Sequence, residues 1–197
     1  MYRGVNSASS LNNVGWTHWL SDPSGVAKEE RSISRLEEYP WYDLSQGAKE
    51  FTFSSDGEYA RWFLRFTASG CDTPGSLKVF LDDVELQWTA QGTLDRSFYT
   101  YEDMAAGFQP GVHKLRFEQG TAPPDRNPIR QLCSLTMHEY GSEPSFHFDN
   151  SYVGAYPTWS STGRKTYRPT NEACLMRNMT SEHFCPVSAF LLSIAVW

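Results

Sequence analysis

Alternation of apolar and polar residues is the clearest pattern in the middle of the chain. In residues 59–67, Trp62, Leu64 and Phe66 fall on one face of an extended segment. A period of two is typical of a half-buried β-strand. Similar alternation recurs in residues 51–53, 77–81, 84–88, 112–118 and 132–140. In the last of these runs, the pattern predicts that Cys133, Leu135 and Met137 share one side.

Turn-forming residues separate these runs. Ser55-Asp56-Gly57, Asp82-Asp83 and Pro110-Gly111 each stand between two alternating segments, as expected for tight turns and hairpins. Amphipathic helices do not intervene, which disfavours a parallel α/β fold. The sequence therefore predicts a mainly β protein whose residues 41–140 form an antiparallel β-sandwich of the jelly-roll or galactose-binding-like type.

The segments outside the sandwich have weaker patterns. Residues 1–25 predict a loop anchored by Trp16 and Trp19. Residues 28–38 fit either an exposed helix or an edge strand, because their apolar residues do not resolve onto one face. From Gly141 onward the chain is irregular and rich in aromatic residues. We therefore expect residues 141–187 to form a separate layer that packing holds in place.

Charge and hydropathy exclude two classes of partner. The chain has 197 residues and a formal net charge of −6, and no block of Lys and Arg that would suggest nucleic-acid binding. The longest apolar stretch, residues 189–197, is interrupted by Ser193 and falls short of the ~20 residues of a membrane-spanning helix. We expect neither a nucleic-acid nor a membrane partner.

Cysteines and a glycosylation triplet favour an extracellular protein. The four cysteines are candidates for disulfide bonds, in any of three pairings: Cys71, Cys133, Cys174 and Cys185. Asn178 opens an Asn-Met-Thr glycosylation triplet. No signal peptide is encoded in this chain, because a basic region followed by an apolar segment is missing after Met1. The expected localisation is nevertheless secreted.

Metal binding by individual residues is disfavoured at each candidate. His138-Glu139 with His147 has suitable ligand types but not the HExxH spacing of a helical zinc motif. The simpler interpretation is that His138 ends a strand and His147 forms hydrogen bonds. Candidates for calcium binding are Asp82, Asp83 and Glu85, or Asp72 near Asp56. An Asp-Asp pair in a hairpin turn needs no ion, so a turn is again the simpler interpretation.

Several aromatic residues are candidates for a sugar-stacking surface. Aromatic rings pack against the apolar faces of sugars, although in a small domain most aromatic residues are buried. The candidates are Trp41, Tyr42, Trp88, Tyr99 and Tyr101. A possible glycan ligand for the β-sandwich follows from them.

A family resemblance extends over residues 2–187. The run Tyr167-Arg168-Pro169-Thr170-Asn171-Glu172-Ala173-Cys174-Leu175-Met176-Arg177-Asn178-Met179, followed by Phe184-Cys185-Pro186, resembles the carboxy-terminal part of IgA peptidase-type zinc metallopeptidases. These peptidases are found in fungi and bacteria. Residues 2–6, 16–23 and 147–157 look like the same family.

The resemblance implies a metzincin-like α+β peptidase with an inserted β-sandwich. In such enzymes a methionine turn supports the zinc ligands, and Cys174 with Met176 resembles that turn. The complete enzyme would bind zinc and act on a protein or peptide substrate. Its HExxH helix should lie just before Tyr2, so we assign no catalytic or metal-binding residue here. Zinc is not expected to bind this chain well, and the chain is expected to be inactive.

The resemblance also implies a division of the chain. Residues 1–40 would be a remnant of the peptidase domain with a linker, and residues 141–187 its irregular, aromatic-rich carboxy-terminal segment. Residues 188–197 would be an aberrant apolar tail. Trp16 and Trp19 would lose their packing partners and become exposed, whereas residues 40–140 would be stable alone. The alternative is a stand-alone β-sandwich that binds carbohydrate or protein.

Overall fold

A computed structural model describes residues 6–103, 105–121, 128–142, 145–160, 162–171, 174 and 182–189. The chain divides into two compact units. The sandwich unit is Ser34–Tyr140, and the terminal unit combines the residues up to Ile33 with those from Gly141 onward. The sequence predicts the first boundary after residue 40. In the structure, the β-strand that ends at Glu38 pairs with a strand of the sandwich.

Strands account for most of the regular structure in the described residues. They are β1 Ser32–Glu38, β2 Tyr42–Asp43, β3 Lys49–Ser55, β4 Arg61–Ser69, β5 Leu77–Leu81, β6 Val84–Leu86, β7 Ser97–Asp103, β8 Gly111–Gln119, β9 Gln131–Tyr140, β10 Tyr156–Trp159 and β11 Lys165–Arg168. Short 3₁₀ helices span Leu11–Asn13, Thr17–Trp19 and Leu44–Gln46, and residues 186–189 form one helical turn. No helix in these described ranges is long and apolar enough to cross a membrane.

The sandwich unit consists of two sheets. One has the order β1-β9-β4-β7, with β2 also paired to β9, and the other has the order β3-β8-β5-β6. The β4–β9, β4–β7, β3–β8 and β5–β8 pairs are antiparallel. The protein is therefore mainly β with an antiparallel β-sandwich, as the alternation of residues predicted.

The core lies between the two sheets. Phe66 of β4 and Phe117 of β8 meet with ring centroids 5.2 Å apart in an edge-to-face arrangement. Leu64 and Leu115 are fully buried beside them. Each such side chain contributes about 1.5–3 kcal/mol when it leaves water. The residues that sequence periodicity assigned to one face of β4 and β8 therefore form the centre of the core.

A bulge changes the predicted face of β9. Thr67 of β4 pairs with Ser134, whereas the next residue, Ala68, pairs with Leu132. Cys133 is therefore left without a partner residue in the register. Leu132 joins Leu135 and Met137 in the core cluster, and Cys133 does not. The core position that alternation predicts for Cys133 is therefore taken by Leu132, because alternation cannot detect an inserted residue.

The terminal unit has a core of its own. Trp16 is fully buried and its Nε1–H donates to the Gly154 carbonyl at 2.7 Å. Val153 and Ala155 pack in the same cluster, and Trp19 is partly buried against it. The expectation that Trp16 becomes exposed was therefore wrong, because residues after Gly141 fold back onto it. The metzincin-like character of this unit stays a prediction.

Candidate functional site

Trp41 combines an unusual backbone with an exposed side chain. Its φ is +45°, in the left-handed region that bulky residues rarely adopt. Its side chain is 54% exposed. Holding a residue in such a conformation costs about 1–3 kcal/mol. The fold therefore presents this indole to solvent at a conformational cost.

Two polar side chains contact Trp41. The Arg96 guanidinium carbon lies 5.3 Å from the centroid of the indole ring, within the range of a cation–π interaction. The Gln131 Nε2 donates to the Trp41 carbonyl at 3.3 Å. The ring and its backbone are thus each held by a residue distant in the sequence.

Exposed apolar residues stand at the same end of the five-stranded sheet. Gly70, which follows β4, donates its N–H to the Leu94 carbonyl at 2.9 Å. A Cβ atom on Gly70 would lie 2.1 Å from the Ile129 carbonyl oxygen, so the two backbones approach closely. Phe98 pairs with Thr67 near the same end of β4. We define the Trp41 patch as Trp41, Leu94, Arg96, Phe98, Ile129 and Gln131.

The side chains of the other candidate stacking residues are buried or partly buried against other residues of the protein. Tyr99 is buried in the core, and Tyr101 stacks on Trp62 with centroids 5.1 Å apart. Trp88 is partly buried and its Nε1–H donates to the Leu77 carbonyl at 2.8 Å. Tyr42 packs against the core beneath the Lys49 ammonium. Trp41 therefore remains as the exposed member of that set.

His138 and Glu139 do not form a metal site. Glu139 faces Trp62 and His138 faces Phe63 in the β4–β9 register, so their side chains leave opposite faces of the sheet. The fully buried Glu139 carboxylate accepts hydrogen bonds from Arg35 Nε and from Ser55 Oγ at 2.9 Å. A buried carboxylate with a guanidinium partner is a structural ion pair rather than a ligand held ready for a metal.

His147 belongs to the terminal unit and is bound there by Glu30. The Glu30 carboxylate accepts from the His147 backbone N–H at 2.8 Å and lies 3.0 Å from its Nδ1. The imidazole stacks on Tyr152 with centroids 3.8 Å apart. This agrees with the interpretation of His147 as a hydrogen-bonding residue.

Asp82, one of the candidates for calcium binding, is occupied by protein donors. Asp82 Oδ2 lies 2.6 Å from His113 Nδ1, and Asp82 Oδ1 accepts from the Lys114 N–H at 2.8 Å. Asp82 and Asp83 both have positive φ, as a two-residue hairpin turn requires. No group of three His, Cys, Asp or Glu residues in the described part of the chain could hold a metal.

The four cysteines are buried thiols in the structure. Burial raises the pKa of the Cys71 thiol to about 12 and raises the pKa of Cys133 as well. In the terminal unit, Cys174 Sγ accepts from the Cys185 N–H at 3.3 Å, and Ser188 Oγ lies 3.7 Å from Cys174 Sγ. Disulfide pairing stays a prediction.

Met176 and Asn178 lie outside the described residues.

The chain matches no family model and no curated protein. Among solved structures it is similar to a ruminal GH26 endo-β-1,4-mannanase, at 13% identity and a TM-score of 0.35, over 61% of this chain and 22% of that one. It is also similar to the ANX2 ectodomain from Arabidopsis thaliana, at 11% identity and a TM-score of 0.35, over 73% and 42%.

A third likeness is to a family 35 carbohydrate binding module from Clostridium thermocellum. The identity is 8% and the TM-score 0.29, over 54% of this chain and 86% of that module. The chain thus spans less than half the length of the mannanase and of the ectodomain. At these identities and scores, the likenesses assign neither a family nor a function to this chain.

Proposed function

We propose that the sandwich unit is a carbohydrate-binding module that holds a sugar ring against Trp41. The observation that carries the proposal is an exposed tryptophan kept at a positive φ of +45°. Strained, exposed residues concentrate at ligand-binding sites, where the surrounding structure over-determines them.

The chemistry of the Trp41 patch suits a sugar. An indole face packs against the C–H face of a pyranose, and exclusion of water from both surfaces favours the contact. The Arg96 guanidinium has five N–H donors, so it can donate to sugar hydroxyl groups while it lies 5.3 Å from the ring centroid. Gln131 adds an amide that can both donate and accept.

A glycan array followed by calorimetric titration tests the proposal. The purified chain should bind a subset of glycans, and Trp41→Ala should weaken that binding by about tenfold or more, as truncation of a central aromatic contact does. Trp41→Phe should retain part of the affinity because it retains a ring. Phe184→Ala removes another exposed aromatic residue, from the terminal unit, and should leave the affinity unchanged.

Two results would overturn this function. One is the absence of saturable binding to any glycan by correctly folded protein. The other is glycan binding that Trp41→Ala and Phe184→Ala weaken equally, because this would point to non-specific aromatic adhesion rather than a site.

A second candidate is that the terminal unit belongs to a zinc peptidase of the IgA-peptidase type. Its support is the discontinuity of that unit in the sequence: residues up to Ile33 and residues from Gly141 onward form one compact unit, and the sandwich unit is inserted between them along the chain. This is the arrangement that the family resemblance implies. The described residues do not themselves fit a zinc site, so no catalytic step is assigned to them.

Transcript mapping upstream of Met1 tests the peptidase candidate. An in-frame HExxH motif would support it, since that motif supplies two histidine ligands and the catalytic glutamate. A reading frame that is closed immediately upstream of Met1 would contradict it. Neither result bears on the glycan-binding proposal, because that proposal depends only on residues of the sandwich unit.

A further inference from the structure

Two of the four cysteines lie together in the terminal unit. Cys174 and Cys185 are both buried and belong to the core cluster of that unit, whereas Cys71 and Cys133 belong to the sandwich unit. An isolated β-bridge pairs Cys174 with His183 in parallel, so the chain that leads into Cys185 runs alongside Cys174. The fold of this unit therefore brings together two cysteines that are 11 positions apart in the sequence.

The sulfur atoms of the two cysteines have a common neighbour. Cys174 Sγ accepts a hydrogen bond from the Cys185 backbone N–H at 3.3 Å. The Ser188 Oγ lies 3.1 Å from Cys185 Sγ and 3.7 Å from Cys174 Sγ. Two cysteines can be joined without movement of the backbone only when their side chains do not point apart. The contacts with Ser188 show that both side chains are directed into the same small space.

The hydrogen bonds around the two sulfur atoms do not depend on the thiol protons. Cys185 Sγ accepts from the Ser188 N–H at 3.4 Å, as Cys174 Sγ accepts from the Cys185 N–H. A sulfur atom is a weak acceptor that needs no proton of its own for this role. The Ser188 Oγ also accepts from Asn6 Nδ2 at 3.3 Å. Loss of both thiol protons would therefore leave these neighbouring groups with hydrogen-bond partners.

We propose that Cys174 and Cys185 form a disulfide bond within the terminal unit. Of the three pairings that four cysteines allow, the contacts above favour the one that joins these two residues. The bond would crosslink the same core cluster that contains Trp16 and Val153. In the chain-entropy account, such a closed loop stabilises the folded state because it reduces the freedom of the unfolded chain.

The bond would form by thiol–disulfide exchange with a low-molecular-weight disulfide, such as glutathione disulfide, while the chain folds. One cysteine thiolate attacks the oxidant, forms a mixed disulfide and releases one glutathione thiolate. The second cysteine thiolate attacks the mixed disulfide, forms the protein disulfide and releases the other glutathione thiolate. The protein loses two protons and two electrons, and the oxidant is reduced to two molecules of glutathione.

Peptide mapping without reduction tests the pairing on the full chain, refolded with reduced and oxidised glutathione. Trypsin places each cysteine in a peptide of its own: 66–78, 131–164, 166–177 and 178–197. After alkylation of the remaining thiols, mass spectrometry should find peptides 166–177 and 178–197 joined until a reductant separates them. The inference is overturned if Cys174 and Cys185 are recovered alkylated, or if either is joined to peptide 66–78 or 131–164.

Cys133→Ala is the matched control, because it removes a buried thiol of the sandwich unit. The link between peptides 166–177 and 178–197 should persist in this variant. Dithiothreitol should lower its midpoint of thermal unfolding by about 5–10 °C, the effect of losing one disulfide. Adding Cys185→Ala should abolish both the link and the shift. A Cys133→Ala protein that lacks the link, or an equal shift in the single and double variants, would contradict the pairing.

Discussion

Three residues other than glycine have positive φ values among the described residues, and they have different explanations. Asp82 and Asp83 form the hairpin turn between β5 and β6, and aspartate tolerates this conformation because its short side chain bonds locally. Tryptophan has no such compensation. The proposed binding function would explain why an exposed bulky residue is kept at Trp41.

Gly70 allows the close backbone approach beneath the Trp41 patch. In Gly70→Ala, the new Cβ would meet the Ile129 carbonyl oxygen at 2.1 Å in a backbone with φ of +73°. We expect a loss of about 2–4 kcal/mol in the free energy of unfolding, from backbone strain together with the clash. Urea denaturation followed by circular dichroism measures this loss.

Gly92 offers the matched control for Gly70. It has a similar φ of +69°, but a Cβ atom there would have no neighbour within 4 Å. Gly92→Ala should therefore cost only the backbone term, about 1 kcal/mol. Equal losses in the two variants would show that the approach of Gly70 to Ile129 is not a tight contact in solution.

The sequence could suggest Trp41 but not its neighbours. An aromatic-rich β-sandwich makes a stacking residue plausible, and five aromatic residues were candidates. Arg96 and Gln131 come to Trp41 from segments 55 and 90 residues away along the chain. No local pattern encodes such contacts, since they depend on how β2, β7 and β9 are ordered in one sheet.

At the scale of elements, alternation succeeded where one face is buried and the other polar. It identified β3, β4, β5, β6, β8 and β9. It left residues 28–38 open between helix and strand, and the structure has a strand, Ser32–Glu38. It missed β7, because Phe98 is exposed while its neighbour Tyr99 is in the core. Because β7 has aromatic residues on both faces, it lacks the difference between an apolar and a polar face by which alternation identifies a strand.

His113 joins β8 to the β5–β6 turn through an ionic contact. Its Nδ1 faces the Asp82 carboxylate at 2.6 Å and its Nε2 faces the Gln109 carbonyl at 2.8 Å. Both neighbours are acceptors, so both ring nitrogens donate in the folded state. Burial lowers the pKa of His113, but the hydrogen bond to Asp82, the bond to Gln109 and the Asp82 and Glu139 charges outweigh it and raise the pKa.

This raised pKa predicts a pH dependence of stability. The stabilisation is fully present below the unfolded value of 6.5 and is lost as the pH rises through the higher folded pKa. As the pH rises above 6.5, the free energy of unfolding should therefore fall more steeply in the wild type than in His113→Gln. Urea denaturation at a series of pH values measures these slopes, and equal slopes in the wild type and in His113→Gln would contradict the assignment.

At the scale of the whole molecule, the sandwich is an insertion with its own core. All members of its core cluster lie within Ser34–Tyr140. The terminal unit has a second cluster, which includes Trp16 and Val153. The sequence predicted the sandwich from local alternation. It could not predict that Trp16 is buried, because the covering residues lie more than 130 positions away.

The insertion predicts that the isolated fragment 34–140 folds cooperatively. The shorter fragment 41–140 loses β1 and leaves the buried Glu139 carboxylate without Arg35. Removing one partner of a buried ion pair costs about 3–5 kcal/mol, so the shorter fragment should be less stable by at least that amount. Urea denaturation of both fragments measures the difference, and equal stabilities would show that β1 is not part of the sandwich unit.

The most direct test of the carbohydrate-binding function is a ¹H–¹⁵N NMR titration of the indole N–H groups with a glycan selected on the array. The chain has seven tryptophans, and the Trp41 signal is identified by its absence in Trp41→Phe. We predict that this signal shifts with saturation while the signals of buried Trp16 and Trp62 do not. Saturable binding that shifts other indole signals and leaves that of Trp41 unchanged would contradict the proposed site.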